Sequence, residues 1–316
     1  MNAGAARRWT MRVVRLIVSL AVVLTLTFLM IQLIPGDPVR QALGPDASAA
    51  LVDQRRAQLG LNHPLIQQYL DYWSNVLSGH FGESIISNQP VSLIIQSRIG
   101  DTATLVVASI IATMIISIVL GLVVGIGTHR GRRPVLRFSF NLGTGLAAAI
   151  PDFLVAVLLV FLFAVTIKLF PVAGASGPSS FVLPTIAIIL GSTATLTRIV
   201  RSATDNVLDE DYILVARSKR LPPLRVYLRH ALPNLLTAAL TLGGLQLGTI
   251  ITGTIIVENV FAIPGLGSAL VNALVSRDYP VAQAIMLIFA SAVLILNVLV
   301  DVLISVLNPR TATQGS

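Results

Sequence analysis

Residues 214–236 read LVARSKRLPPLRVYLRHALPNLL, a basic, proline-punctuated segment set between two apolar runs. Arg217, Lys219, Arg220, Arg225, Arg229 and His230 fall within 14 residues, and Asp205, Asp209, Glu210 and Asp211 precede them. Acids near a helix N-terminus and cations near its C-terminus complement the backbone dipole, so the order predicts a short helix over about 208–219. Leu221 precedes a proline and is steered out of the helical region, so Pro222 and Pro223 stop that helix, and Pro223 is placed to open a second one. Leu224, Tyr227, Leu228, Ala231 and Leu232 are the expected apolar face of the second helix, with Arg225 and Arg229 beside it. Pro233 is expected to kink or break the chain before the next apolar run. The segment reads as a stiff cationic helix–turn–helix shaped to dock into a groove on another protein; a solvated loop that only fixes topology is the plain alternative.

The flanks are membrane-grade. Of 316 residues 54% are hydrophobic and 11% charged, with a mean hydropathy of +0.83; soluble domains carry about 25% charged residues. The net charge of +8 therefore belongs to membrane orientation rather than nucleic acid, since no solvated domain is large enough to present such a surface. Without cysteine there is neither a disulfide framework nor a thiolate metal site. Six stretches reach the roughly 20 apolar residues a span needs: about 13–34, 103–128, 138–168, 182–200, 234–257 and 281–307. Arg7, Arg8, Arg12 and Arg15 before the first resemble the start of a secretory signal. That run is longer than a signal core and ends in IPGDP without a small-residue cleavage site, so it reads as a retained span.

Six spans put both termini on one side. The N-terminus, 129–137, 201–233 with Arg198, and the C-terminus together hold 16 of the 22 Lys and Arg. The positive-inside rule makes that side cytoplasmic, so the loop GTHRGRRP at 127–134 and the opening hairpin both face the cytosol. The segment 35–100 is then an extracytoplasmic insertion. Within it Leu65, Tyr69, Tyr72, Trp73 and Val76 recur at helical spacing and predict an amphipathic helix on the outer membrane face. The organisation expected is 1–34 for the N-terminus and first span, 35–100 for the insertion, 101–307 for a five-span core containing the hairpin 201–233, and 308–316 for a cytoplasmic tail.

Polar groups inside spans mark the candidate path. Asp152 after Pro151 and Asp301 near the cytoplasmic end of the last span are costly in lipid; a proton relay and a structural pairing are the two readings, and no relay chain accompanies either. GSTATLTRIVRSATDN ends the fourth span, and its Thr193 and Thr197 border the path or pack helices through small residues. In the fifth span, LGGLQLGTIITGT brings Gln246, whose amide can serve a neighbour or a passing solute, and Gly248, which permits bending. The stretch VENVFAIPGLGSALVNAL follows, with Glu258, Phe261, Pro264, Gly265 and Gly267 as a candidate outer gate. Irregular backbone at membrane depth must be buried in protein or line a cavity, and Glu258 reads as a helix-end group or a receptor contact. His63, His80, His129 and His230 show no ligand spacing, and there is no nucleophile elbow or Gly-rich nucleotide fingerprint.

The hairpin also resembles the coupling loop of binding-protein-dependent ABC importer permeases, whose pattern is Glu-Ala-Ala, three residues, Gly, nine residues, Ile, one residue, Leu-Pro. Leu232 and Pro233 supply its end, Ala216 the second Ala, and Arg220 the Gly position, while Leu214 and His230 replace its Glu and Ile. DYILVARSKRLPPLRVYLRHALPNLL is closer to the peptide-importer variant, as are LIPGDPVRQALGPDA, LGLNHPLIQQYLDYW, GHFGESI, ENVFAIPGLGSALVNAL and NPR elsewhere. His80 stands where that family has Asp, and Arg220 in place of Gly leaves the turn to Pro222 and Pro223.

The resemblance implies an all-α type I permease fold in a bacterial cytoplasmic membrane. It implies a second homologous permease, two cytoplasmic ATPase subunits that bind ATP and Mg, and an extracytoplasmic binding protein delivering dipeptides or oligopeptides. Asp211, Tyr212, Ala216, Arg217, Ser218, Lys219, Arg220, Leu221, Arg229, His230, Leu232 and Pro233 would carry the coupling. No G-x-x-x-x-G-K-[ST] phosphate loop occurs in the chain, so the hydrolysis belongs to another subunit, and the chain is a translocation component without catalytic residues or a cofactor of its own. The basic loops have lipid headgroups as neighbours. An ion-gradient-driven carrier or channel is the rival; it needs repeated halves and coupling carboxylates, neither of which is evident.

Overall fold

The computed structural model describes residues 3–32, 38–44, 46–58 and 60–307. The IPGDP stretch through Asp37, the NPR tripeptide and the tail 308–316 lie outside them. Among the described residues every regular element is helical, apart from one bridge pairing Glu83 with Pro90. In chain order these are α1 (Ala3–Gln32), α2 (Pro38–Leu43), α3 (Ala49–Gln58), α4 (Leu65–Leu77), α5 (Val91–Thr128), α6 (Pro134–Ala149), α7 (Asp152–Leu159), α8 (Val182–Leu208), α9 (Asp211–Ser218), α10 (Pro223–Arg225), α11 (Leu232–Val260), α12 (Leu266–Val275) and α13 (Tyr279–Leu307).

Among the described residues five helices are long and apolar enough to cross a membrane, and a bent pair of helices brings the number to six when it is counted as one span. That pair corrects the single run expected over 138–168: α6 and the helix from Asp152 to Thr166 meet at 93°. Pro151 is the cause. It cannot donate a backbone hydrogen bond, and it holds Ile150 extended at φ −81°, ψ 123°. A second correction concerns α8, which runs unbroken to Leu208 instead of ending near 200. The next helix starts only at Asp211, after Glu210 turns extended at φ −68°, ψ 144°.

The chain folds as two compact units. One comprises residues 1–103 with 263–294. Here Tyr69 and Tyr72 of α4 reach the hydroxyls of Thr25 and Thr27 on α1, at 2.8 Å and 3.0 Å, and Phe28 packs against both rings at 5.3 Å and 5.8 Å. Tyr69, Tyr72, Trp73 and Val76 are part-buried as their spacing predicts, whereas Leu65 is 59% exposed and falls off the face. The helix is amphipathic because it packs on α1, and burial pushes the Tyr72 hydroxyl pKa up, keeping it protonated for its bond to Thr27.

GHFGESI in the same unit has a structural meaning. The carboxylate of Asp278, 5% exposed, accepts hydrogen bonds from the Ser84 hydroxyl and, at 3.0 Å, from the Ile85 amide. This clasp fixes the insertion to the turn that opens α13. Asp278→Ala leaves two buried donors unsatisfied, each worth about 1–3 kcal/mol. The expected result is a fall in the thermal midpoint of the purified protein, with Asp278→Asn losing less.

The second unit comprises residues 104–262 with 295–316. Apolar contact between helices gains little over contact with lipid tails, so close packing through small residues holds them. Gly121 and Gly125 of α5 lie against Val200 and Thr204 of α8, and a Cβ on either glycine would come within 2.6 Å of those side chains. This G-x-x-x-G pair escaped the sequence reading, although its spacing was there to find.

Candidate functional site

In the second unit the hairpin after α8 is ordered and anchored. Ile213 and Ala216 of α9 are buried against Leu208, Val226, Ala231 and Leu235. The apolar face expected for the second helix is kept in part: Ala231 is buried and Tyr227 and Leu232 are half-buried, but Leu224 and Leu228 are 68% and 50% exposed and Val226, outside the expected face, is buried. The cause is a π-turn over Val226–Ala231, in which the Leu232 amide donates to the Tyr227 carbonyl five residues back. A five-residue turn aligns 226 with 231. It also opens the ladder where the Pro233 ring would press on the carbonyl four residues earlier. The helix therefore passes through Pro233 without the expected break.

Arg220 corrects a second expectation. The turn is not left to Pro222 and Pro223; Arg220 itself adopts the left-handed conformation, φ 53°. Its amide bonds the Arg217 carbonyl at 2.9 Å, and the Leu221 amide reaches Ala216 at 3.4 Å. Helix ends of this kind favour glycine, because a Cβ costs about 1–2 kcal/mol there. Arg220→Gly is thus expected to stabilise the end of α9 by about 1 kcal/mol, read as slower hydrogen exchange of amides 213–221.

The outward side of α9 carries Asp211, Tyr212, Leu214, Val215, Arg217 and Ser218, followed by Lys219 and Arg220, all exposed. Leu214 and Val215 were not singled out by sequence, and they place apolar surface amid the cations. The Tyr212 hydroxyl accepts a 2.6 Å hydrogen bond from Asn234 Nδ2, and burial raises its pKa despite that bond. Leu221, His230 and Leu232 are half-buried, whereas Arg229 and Pro233 are exposed.

At the root of the hairpin lies a cluster that sequence reading missed. His129, 8% exposed, sits 3.7 Å from Asp205 and 3.4 Å from Asp209. Arg130 pairs with Asp209 at 3.2 Å and Arg201 with Asp205 at 3.0 Å. Arg201 Nε also donates to Thr128 Oγ1 at 3.2 Å. The loop after α5 is thereby fastened to the end of α8. Arg201 and Asp205, four apart on a helix, were the available signal. No group of three or more metal-binding side chains occurs among the described residues.

The candidate path residues fall into separate environments. Asp152, the first residue of α7, lies beside glycines of two other helices: Cβ atoms at Gly191 and Gly253 would stand 3.6 Å and 3.2 Å from its carboxylate oxygens. Thr197 is buried, and its hydroxyl bonds back to the Thr193 carbonyl at 2.6 Å. The Thr193 hydroxyl is itself buried without a partner among the described residues. Gln246 lines an apolar groove of about 430 Å³ with Met114, Gly243, Gly244 and Val300, and a Cβ at Gly248 would meet open space. Asp301 is exposed.

Glu258 is fully buried near the end of α11. Phe261 is buried too, and its carbonyl accepts from the Gly174 amide at 2.9 Å. In the other unit Pro264 is exposed but Gly265 and Gly267 are buried, and the Leu266 amide bonds Thr102 Oγ1 at 2.7 Å.

Residues 117–313 match the family described as binding-protein-dependent transport system inner membrane component, and residues 6–106 match its N-terminal companion. The glutathione transport system permease protein GsiC of Escherichia coli K12 is 36% identical over 298 residues, covering 94% of this chain and 96% of that one. GsiC of Salmonella typhimurium LT2 is 38% identical over 301 residues with the same coverage. Among solved structures, an inward-facing conformation of the MetNI methionine ABC transporter aligns with a TM-score of 0.54 at 16% identity, covering 69% of this chain and 97% of that chain. At that identity the likeness speaks for the fold alone.

Proposed function

We propose that this chain, which belongs to the binding-protein-dependent transport system inner membrane component family and so is the permease subunit of an ABC importer, carries short peptides across a bacterial cytoplasmic membrane. The observation that carries the peptide reading is the 36–38% identity, over 94% of the chain, to permeases named for glutathione, itself a tripeptide. The peptide-type form of the hairpin sequence supports the same cargo.

In this reading the termini and the α9 hairpin are cytoplasmic. A second permease completes the path, two ATPase subunits grip the coupling helices of the pair, α9 among them, and a binding protein delivers cargo from outside. Nucleotide-driven closure of the ATPases moves α9 as a rigid body and rocks the spans between inward- and outward-facing states. Asp211, Tyr212, Arg217, Ser218, Lys219 and Arg220 meet the ATPase, while Ala216 and Leu221 hold the helix end in place. Asp152, Gln246 and Gly248 border the path, and Phe261 with Pro264–Gly267 belongs to the outer gate. The chain contributes translocation, not hydrolysis.

The complete complex, reconstituted in liposomes and offered a panel of di-, tri- and longer peptides, tests this reading. Stimulated ATP hydrolysis and uptake are expected for at least one peptide class. Stimulation by a nickel chelate or an opine, with none by any peptide, overturns the cargo.

A further inference from the structure

The unit formed by residues 1–103 and 263–294 contains a cavity of about 370 Å³, lined by both polar and apolar groups, that the transport cycle leaves without a role. It is bounded by the outer part of α1, the turn after α3, one side of α4 and the first turns of α13. We infer that this cavity is a binding site for a short peptide, held by side-chain amides along its backbone and by Asp71 at its free amino end. The inference deepens the proposed function, on which the choice of peptide as probe rests.

The lining chemistry is the argument. Gln32, Gln58, Gln68, Asn75 and Gln283 all face the cavity. A primary amide both donates and accepts, as does each peptide group, so an amide-rich wall pairs with a peptide backbone whatever its side chains. Part of that capacity is spent internally. Gln68 Nε2 donates to the carbonyls of Leu61 and His63 at 3.1 Å and 2.7 Å, and Gln68 Oε1 accepts from Gln32 at 3.3 Å.

The remainder is free. Gln283 is 8% exposed and commits Nε2 to the Thr27 carbonyl at 2.8 Å. Its Oε1 has no donor among the described residues, nor has the side-chain amide of Asn75 any partner there. Both groups are open to the cavity, where the donors and acceptors of a peptide group can pair with them. The one carboxylate of the lining, Asp71, faces His63 at 3.5 Å and is half-exposed, so a ligand ammonium can reach it. The volume lies at the small end of the range for ligand pockets, about 300–1,000 Å³, and favours a di- or tripeptide over a longer chain.

The test uses the complete transporter without its binding protein, in nanodiscs, with a diazirine-bearing tripeptide and mass-spectrometric mapping of adducts. Adducts on residues 58–75 and 279–283, displaced by excess unlabelled tripeptide but not by a disaccharide, are expected. Asp71→Asn should weaken labelling by about tenfold for the free-amine peptide and leave its N-acetylated form unchanged, the loss of one charge-assisted hydrogen bond. Asn75→Ala, at an exposed position that the fold tolerates, should weaken both forms.

Labelling absent from this cavity, undisplaced by tripeptide or indifferent to Asp71→Asn overturns the site. If the same complex imports peptides with its binding protein present while the cavity takes no label, the site falls and the cargo reading stands. If the cavity labels as expected while no peptide is imported, the site stands and the cargo reading falls.

Discussion

Replacing Leu214 and Val215 together with aspartate is expected to lower ATP-driven uptake by the reconstituted complex at least about thirtyfold, while the permease still reaches the membrane in normal amount. Both residues are exposed, at 40% and 54%, so the fold does not need them. They sit on the outward side of α9 between Asp211 and the cations Arg217, Lys219 and Arg220. Apolar anchors at the centre of an interface are worth about 2 kcal/mol or more each, whereas charges at its rim contribute chiefly to rate and orientation. Reversal of Arg217 and Lys219 to glutamate is therefore expected to slow uptake less, with a stronger dependence on salt. Exchanging 211–221 for a flexible linker should remove uptake altogether and leave ATP hydrolysis uncoupled from it. Copurification of the ATPase and uptake into proteoliposomes are the two readouts, and normal uptake with the linker would end the coupling role of the hairpin.

Gly125→Val is the second large effect, and it acts on the fold. A Cβ at that position would stand 2.6 Å and 2.7 Å from carbons of Thr204, a fully buried side chain bonded to the Val200 carbonyl at 2.8 Å. Neither helix can shift alone, because Gly121 makes the same close approach to Val200 one turn away. Overpacking by single methylenes costs about 1–3 kcal/mol, so three added carbons at this crossing should remove most of the folded protein. The check is the yield of monodisperse protein and its thermal midpoint. Gly143→Ala serves as the control: nothing lies within 4 Å of the added Cβ, and the helix is expected to gain about 0.5–1 kcal/mol.

Periodicity and composition made the spans, the insertion and the hairpin legible, because each is a local pattern. Tyr69, Tyr72, Trp73 and Val76 share a face by 3.6-residue spacing. What stayed hidden depends on residues distant in the chain or on backbone exceptions. The Asp278 clasp joins residues nearly two hundred positions apart, and the glycine niche of Asp152 is drawn from α8 and α11. The 93° bend came with a visible proline, but the sequence offered no reason to prefer a bend there over the kink assumed at Pro233. The widened turn at 226–231 defeated the helical-wheel argument because that argument fixes the period in advance. Arg220 shows the converse: an arginine holds the left-handed conformation that favours glycine, closed by the hydrogen bonds of its own amide to Arg217 and of the Leu221 amide to Ala216.

That widened turn has a consequence for how the protein tolerates change. A standard helix advances by 100° per residue, so the one additional residue between α10 and α11 sets the azimuth at which α9 points. Deleting any single residue from 226–231 would restore a regular ladder, yet it would swing the cationic face away from its mate by more than a quarter-turn. Substitutions there alter chemistry, whereas indels alter bearing. The direction in which this subunit offers its handle is thus written in a count of residues, and length at this spot should prove less negotiable than identity.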